Sequence, residues 1–122
     1  MKKRTFFKTS LLSLSALVLA AVATVSVQES RADSGALKIY KFEADWCGPC
    51  QQMKPIFKKV SGDFKEVTFQ TVNVDKDPKT TERFNVSILP TLIAVKGGEV
   101  VGKTTGFKNA NQLKSFIKKH NR

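Results

Sequence analysis

Two stretches rich in β-forming residues, ALKIYKFEA (Ala36 to Ala44) and VTFQTVNVD (Val67 to Asp75), flank a single amphipathic one. Between them Met53, Ile56, Phe57, Val60 and Phe64 recur three or four residues apart with lysines interspersed, which predicts a helix from Cys50 to about Phe64. Strand, helix, strand in that order constrains the fold more than any other feature: the strands pair in parallel and the helix is the crossover between them. Pro55 falls inside the helix, where a kink is expected.

The remaining elements extend this unit. A turn at DKDP leads into a short helix from about Pro78 to Phe84, with proline at its start. Two apolar runs, Thr91 to Val95 and Glu99 to Thr105, are separated by Lys96-Gly97-Gly98 and read as an antiparallel hairpin. Leu113, Phe116 and Ile117 lie on one face of a final helix from Asn109 to His120. The fold class is therefore α/β, a mixed sheet of parallel strands plus an antiparallel hairpin, flanked by helices on both faces.

The first 32 residues do not belong to this pattern. Lys2, Lys3, Arg4 and Lys8 precede an uncharged run from Leu11 to Val27, followed by a polar exit with small residues, the layout of a secretory signal. Cleavage with Ser30 and Ala32 at the small-residue positions leaves Asp33 as the new N-terminus; Ala21-Val22-Ala23 is a second site, deeper in the apolar run. The run also sits at the lower edge of the ~17–25 residues that span a bilayer, so an uncleaved anchor stays open. Either way residues 33–122 form the working domain and face outward, secreted or tethered to the outer face of the cytoplasmic membrane.

Without residues 1–32 the chain loses five of its 21 basic and one of its 10 acidic residues, which leaves +7 over 90 residues. The lysines are scattered and lack interleaved aromatics, so no nucleic-acid partner is expected. A basic surface suits anionic lipid or cell wall.

The chain has two cysteines, Cys47 and Cys50, in WCGPCQQMKP. A loop that short hardly restricts the unfolded chain, so the pair is a poor staple. A four-ligand metal site lacks donors, because the one histidine, His120, lies at the far end, where a surface position at a helix C-terminus is expected. No metal and no cofactor are expected. A strand that ends at Cys47 and a helix that begins near Cys50 put the first sulfur beside unpaired backbone N–H groups, which favours a thiolate. Cys47 is then the nucleophile of disulfide exchange and Cys50 the shielded, resolving cysteine. Gly48 and Pro49 hold the two close, with Pro49 restricting the loop.

ADWCGPCQQMKP, VNVDKDP and ILPTLIAVKGGEVV together resemble the thioredoxin family, and the likeness covers nearly all of Ala36 to His120. The resemblance implies a thiol–disulfide oxidoreductase, with Pro90 as the cis-proline that seats the substrate backbone and Trp46 partly exposed beside the sulfur. Gly98 matches the hairpin glycine and Gly106 the glycine lining the substrate groove; Leu89, just before the proline, serves the groove or the core. Gly48-Pro49 resembles reducing members, so a protein-disulfide reductase is expected.

The chain also departs from the family pattern. Members usually have another strand and helix before the central strand, so the fold is expected to be trimmed at that edge. Lys41 stands where a buried aspartate is usual, and Thr71 where its lysine partner is. Lys41 and Glu43 share one face of their strand. Either Lys41 turns to solvent or pairs with Glu43, or Glu43 takes over the proton role while Lys41 favours the thiolate by its charge.

The expected partners are exported thiol and disulfide proteins and a membrane electron donor, and the domain is expected to be a monomer. Two alternatives remain: an oxidase or isomerase of secreted proteins, and a non-catalytic module that binds an exported disulfide-containing peptide.

Overall fold

The computed structural model describes residues 35–122. The expected leader, residues 1–32, lies outside them. No helix among the described residues is long and apolar enough to cross a membrane.

Strand β1 (Leu37–Glu43) is central and pairs in parallel with β2 (Thr68–Asn73), the crossover being helix α1 (Gly48–Ser61). After α2 (Pro78–Arg83), strands β3 (Thr91–Lys96) and β4 (Glu99–Thr105) form the hairpin, and β3 joins the other side of β1 antiparallel. The strand order is β2-β1-β3-β4, and α3 (Ala110–His120) closes the chain. Among the described residues β2 and β4 are the edges of the sheet.

Alternation along β1 divides the core in two. Leu37 and Ile39 face one side, where they meet Met53, Phe57 and Val60 of α1, Leu92 and Ala94 of β3, and Leu113 and Ile117 of α3. Phe42 faces the other with Val72 and Ile93, and Tyr40 and Phe84 pack against them, their ring centroids 4.9 Å apart.

Helix α1 begins two residues earlier than its apolar spacing suggests, because Cys47 caps it and Pro49 suits its first turn. It stops at Ser61, so Phe64 packs into the core from the loop beyond. Pro55 sits inside α1 and leaves the Gln51 carbonyl without its usual donor. Helix α3 opens with a reciprocal cap: the Asn109 side chain accepts the Gln112 N–H, and the Gln112 side chain accepts that of Asn109.

His120 ends α3 half-buried. Its ring packs edge-on against Phe116, centroids 4.8 Å apart, and lies over Gly102 of β4 so closely that a Cβ there would collide with it. Glycine at 102 is what lets the end of α3 lie flat on the hairpin.

Candidate active site

Three chain segments converge at the C-terminal end of β1. The turn after the strand delivers Cys47, whose backbone N–H donates to Ala44 O at 3.2 Å. Cys47 is extended (φ −88°, ψ 107°) and caps α1; its Sγ accepts the Cys50 N–H at 3.3 Å. The cap and the first cysteine of the pair are thus the same residue, with the positive end of the helix aimed at the sulfur. Cys47 and Cys50 are joined as a disulfide, their Cα atoms 5.2 Å apart. Cys47 keeps 6% of its surface while Cys50 keeps none, so Cys47 is the less buried of the pair.

Gly48 and Pro49 complete the first turn; a side chain at 48 would meet nothing within 4 Å, so glycine there leaves the approach to the sulfurs open. The Gln51 side chain donates to the carbonyls of Ala44 and Asp45 and ties helix to turn.

Trp46 is 73% exposed, yet its indole is held, because Nε1–H donates to Asp75 Oδ2 at 2.9 Å. Asp75 is itself fixed, its N–H donating to the Asn73 side chain, which in turn donates to Asp45.

The Leu89–Pro90 bond is cis, as the resemblance implies. Pro90 is buried, and its carbonyl accepts the N–H of Gly106 at 2.8 Å, which locks the segment before β3 to the residue after β4. Gly106 has φ +82°, a conformation that favours glycine. Leu89 packs against the cluster of Ala44, Cys47 and Cys50, serving core and groove together. It also lines, with Trp46, Cys47, Val74, Thr81, Val86 and Ser87, an apolar groove of about 250 Å³. Gly106 supports this groove through Pro90 and does not line it. Val74, Thr81, Val86 and Ser87 carry no sequence signal of their own; the turn and short helix after β2 bring them there.

Beneath the helix, Lys41 and Glu43 are both buried, and Lys41 Nζ lies 2.6 Å from Glu43 Oε2. Of the two placements open to Lys41, the buried pair is the one found, not the turn to solvent. Lys54 of α1 approaches the other carboxylate oxygen at 3.6 Å, and the Lys41 ammonium stands 4.9 Å from the centre of the Phe57 ring. Despite the short contact, no protein donor is aligned with Oε2 as a hydrogen bond, so the pair is ionic in distance without good hydrogen-bond geometry.

The thioredoxin family model matches residues 20–119. The chain belongs to the thioredoxin family. It is 38% identical over 95 residues to a thioredoxin of Chlamydia trachomatis, covering 76% of this chain and 93% of that one. A thioredoxin of Staphylococcus saprophyticus is 35% identical over 103 residues, 81% of this chain and 99% of that one. Among solved structures, a thioredoxin from Nicotiana alata matches with a TM-score of 0.68 at 32% identity, covering 72% of this chain and 76% of its own. As a thioredoxin-family protein with its Cys47–Cys50 pair in place, the chain is a thiol–disulfide oxidoreductase with protein-disulfide reductase activity.

Proposed function

We propose that this thioredoxin-family domain works outside the cytoplasm, reducing disulfides in exported proteins, with Cys47 as nucleophile and Cys50 as resolving cysteine. The observation that carries the assignment of roles is the unequal burial of the two cysteines at one helix N-terminus. In the reduced protein the Cys47 thiolate attacks a client disulfide, forming a bond to one client sulfur while the other leaves as a thiolate and takes a proton from water. Cys50 then attacks Cys47 Sγ and releases the second client sulfur. Two electrons pass to the client, and the protein is left with the Cys47–Cys50 disulfide.

The groove beside Cys47 fits an extended client segment. Trp46 covers one side of it and Leu89 lines it, with Pro90, tied to Gly106, holding Leu89 in place behind it. Gly48 and Pro49 keep the helix start open and rigid. Resetting the oxidised pair takes a dithiol donor, which for an exported domain has to be carried by the membrane. The charged start and uncharged run of residues 1–32 support export.

Thiol labelling of the full chain in its native cells tests the location. With a reagent that does not cross membranes, Cys47 and Cys50 should label in intact cells after mild reduction. Labelling only after lysis would overturn the extracytoplasmic assignment.

A further inference from the structure

We propose that the lysines on the outer sides of α1 and α3 dock the domain onto a bilayer of anionic lipid, with the Cys47–Cys50 pair held at the opposite end. The inference goes beyond the thiol chemistry and does not rest on it.

The two helices repeat one pattern. MKPIFKKV (Met53 to Val60) and LKSFIKKH (Leu113 to His120) both carry lysines at the second, sixth and seventh places. Met53, Phe57 and Val60 of α1 pack with Leu113 and Ile117 of α3 in one cluster on one face of the sheet, and the helices touch. At about 3.6 residues per turn the sixth and seventh places point away from that cluster. Lys58, Lys59, Lys118 and Lys119 are accordingly exposed. Together α1 and α3 hold six lysines and no acidic residue. The charge belongs to this face, since residues 75–83, the turn and α2, hold three basic and three acidic residues.

The layout also gathers the charge at one end. A crossover helix between parallel strands runs back along them, so the last turn of α1 lies beside the start of β1. Lys96 pairs with Leu37 at that start, and its Nζ donates to the Arg122 carbonyl, just past α3, at 2.6 Å. The loop after α1 follows α3: Lys114 Nζ lies 3.0 Å from Asp63, and the Asn121 side chain donates to Glu66 at 3.0 Å. Both acidic residues of that loop are thus engaged, and among the described residues Lys58, Lys59, Lys118 and Lys119 form no ion pair.

Like charges gathered this way repel one another. The dipole of a helix favours a cation in its last turn. It gives no reason for two adjacent lysines in each helix, or for both helices to end at the same end of the sheet. A plane of negative charge does, since clusters of about 4–8 basic residues draw a protein to anionic lipid. The chemistry favours lipid over a polymer strand. All six residues are lysines, compact charges without the fork with which arginine grips a single phosphate, and they lie in two rows on open helix backs rather than along a groove. The chain also enters the domain at Gly35, at this same end.

Lys58 and Lys59 follow Cys50 by eight and nine residues of helix, roughly 12–14 Å along its axis. Docking through them leaves Cys47 and the groove facing away from the headgroups, open to clients.

Amine acylation of the oxidised full chain, read lysine by lysine by mass spectrometry, tests the surface. On vesicles of equal parts phosphatidylglycerol and phosphatidylcholine, Lys58, Lys59, Lys118 and Lys119 should lose reactivity several-fold, while Lys76 and Lys79 on the α2 side keep theirs. Protection should be absent on phosphatidylcholine alone and should vanish at ~1 M salt, where the Debye length is about 3 Å. Replacing the four lysines by glutamine should lower the preference of the full chain for anionic over neutral vesicles by about fivefold per lysine. Binding that leaves the four lysines reactive would place the contact in residues 1–32 and overturn the proposal. Equal protection on neutral vesicles would overturn it as well, and so would protection by a soluble polyphosphate but not by vesicles, which would assign the face to a dissolved polyanion.

Discussion

The Sγ of Cys47 accepts the backbone N–H of Cys50 at 3.3 Å, so the first sulfur of the pair caps the helix that carries the second. Reactivity and helix initiation are coupled at one atom, and substitution can separate them. Serine is itself a good N-cap, so Cys47→Ser should abolish disulfide reduction while its melting temperature stays close to that of the reduced wild type. Cys50→Ala should retain the first attack and accumulate a mixed disulfide with the client. Mass spectrometry of the adduct checks both, an adduct on Cys47→Ser being the contrary result.

Trp46 gains its orientation from Asp75 rather than from packing, being 73% exposed. Losing one such hydrogen bond costs about 0.5–1.5 kcal/mol, or roughly 2- to 12-fold in rate. Asp75→Ala should therefore lower kcat/KM for a folded or extended protein disulfide by about that factor. Reduction of a small disulfide, which does not cover the tryptophan, should change little. Equal losses for both substrates would show that Asp75 acts on the sulfurs and not on the groove.

Leu113 of α3 is fully buried against Leu37, Ile39 and Leu92 across the sheet. Leu113→Ala should cost about 2–5 kcal/mol, a large share of the ~5–15 kcal/mol that holds a small domain together. Denaturant unfolding measures it, and a loss below ~1 kcal/mol would mean that the α3 face collapses onto the sheet without leaving a cavity.

Burial against Phe116 and β4, and secondarily the charge of Lys119, pushes the pKa of His120 below its ordinary value. The unfolded chain takes up this proton near pH ~6.5, the folded chain only at lower pH. In that window the unfolded state holds more protons, so stability rises with pH. The contribution of the neutral ring is complete above ~6.5 and lost as pH falls through the folded value. His120→Phe should remove this part of the pH slope, seen by comparing wild-type and variant unfolding at pH ~5.5 and ~7.5. An unchanged slope would place the titration elsewhere.

Much of the architecture was readable from periodicity. Apart from the end of α1, every strand and helix from β1 to α3 lies within a residue or two of where apolar spacing, Pro78 and the glycine pair at 97–98 put it. The exceptions have local causes: α1 starts early because a cysteine serves as its cap, and ends before Phe64 because an apolar residue in a loop packs as well as one in a helix. The site was legible where it is continuous in sequence, as at Cys47 and Cys50, and illegible where folding assembles it. Thr81, Val86 and Ser87 reach the groove through the placement of α2, which local pattern does not encode. Lys41 shows the same limit: its spacing from Glu43 fixes the shared face, and only tertiary packing decides that the face is buried. The contact of the His120 ring with Gly102 was equally illegible, because no pattern announces a meeting between a terminal ring and a distant glycine.

The account as a whole depends on Cys47 and Cys50 exchanging electrons as a reducing pair. The most direct measurement is the redox equilibrium of the full chain titrated against thiol buffers of known poise, with the thiols counted by alkylation. A single two-electron transition near the value of about −270 mV characteristic of thioredoxin is the expected result. A potential near −120 mV, the range of a strong periplasmic oxidant, or a pair that does not equilibrate with the buffers at all, would contradict it.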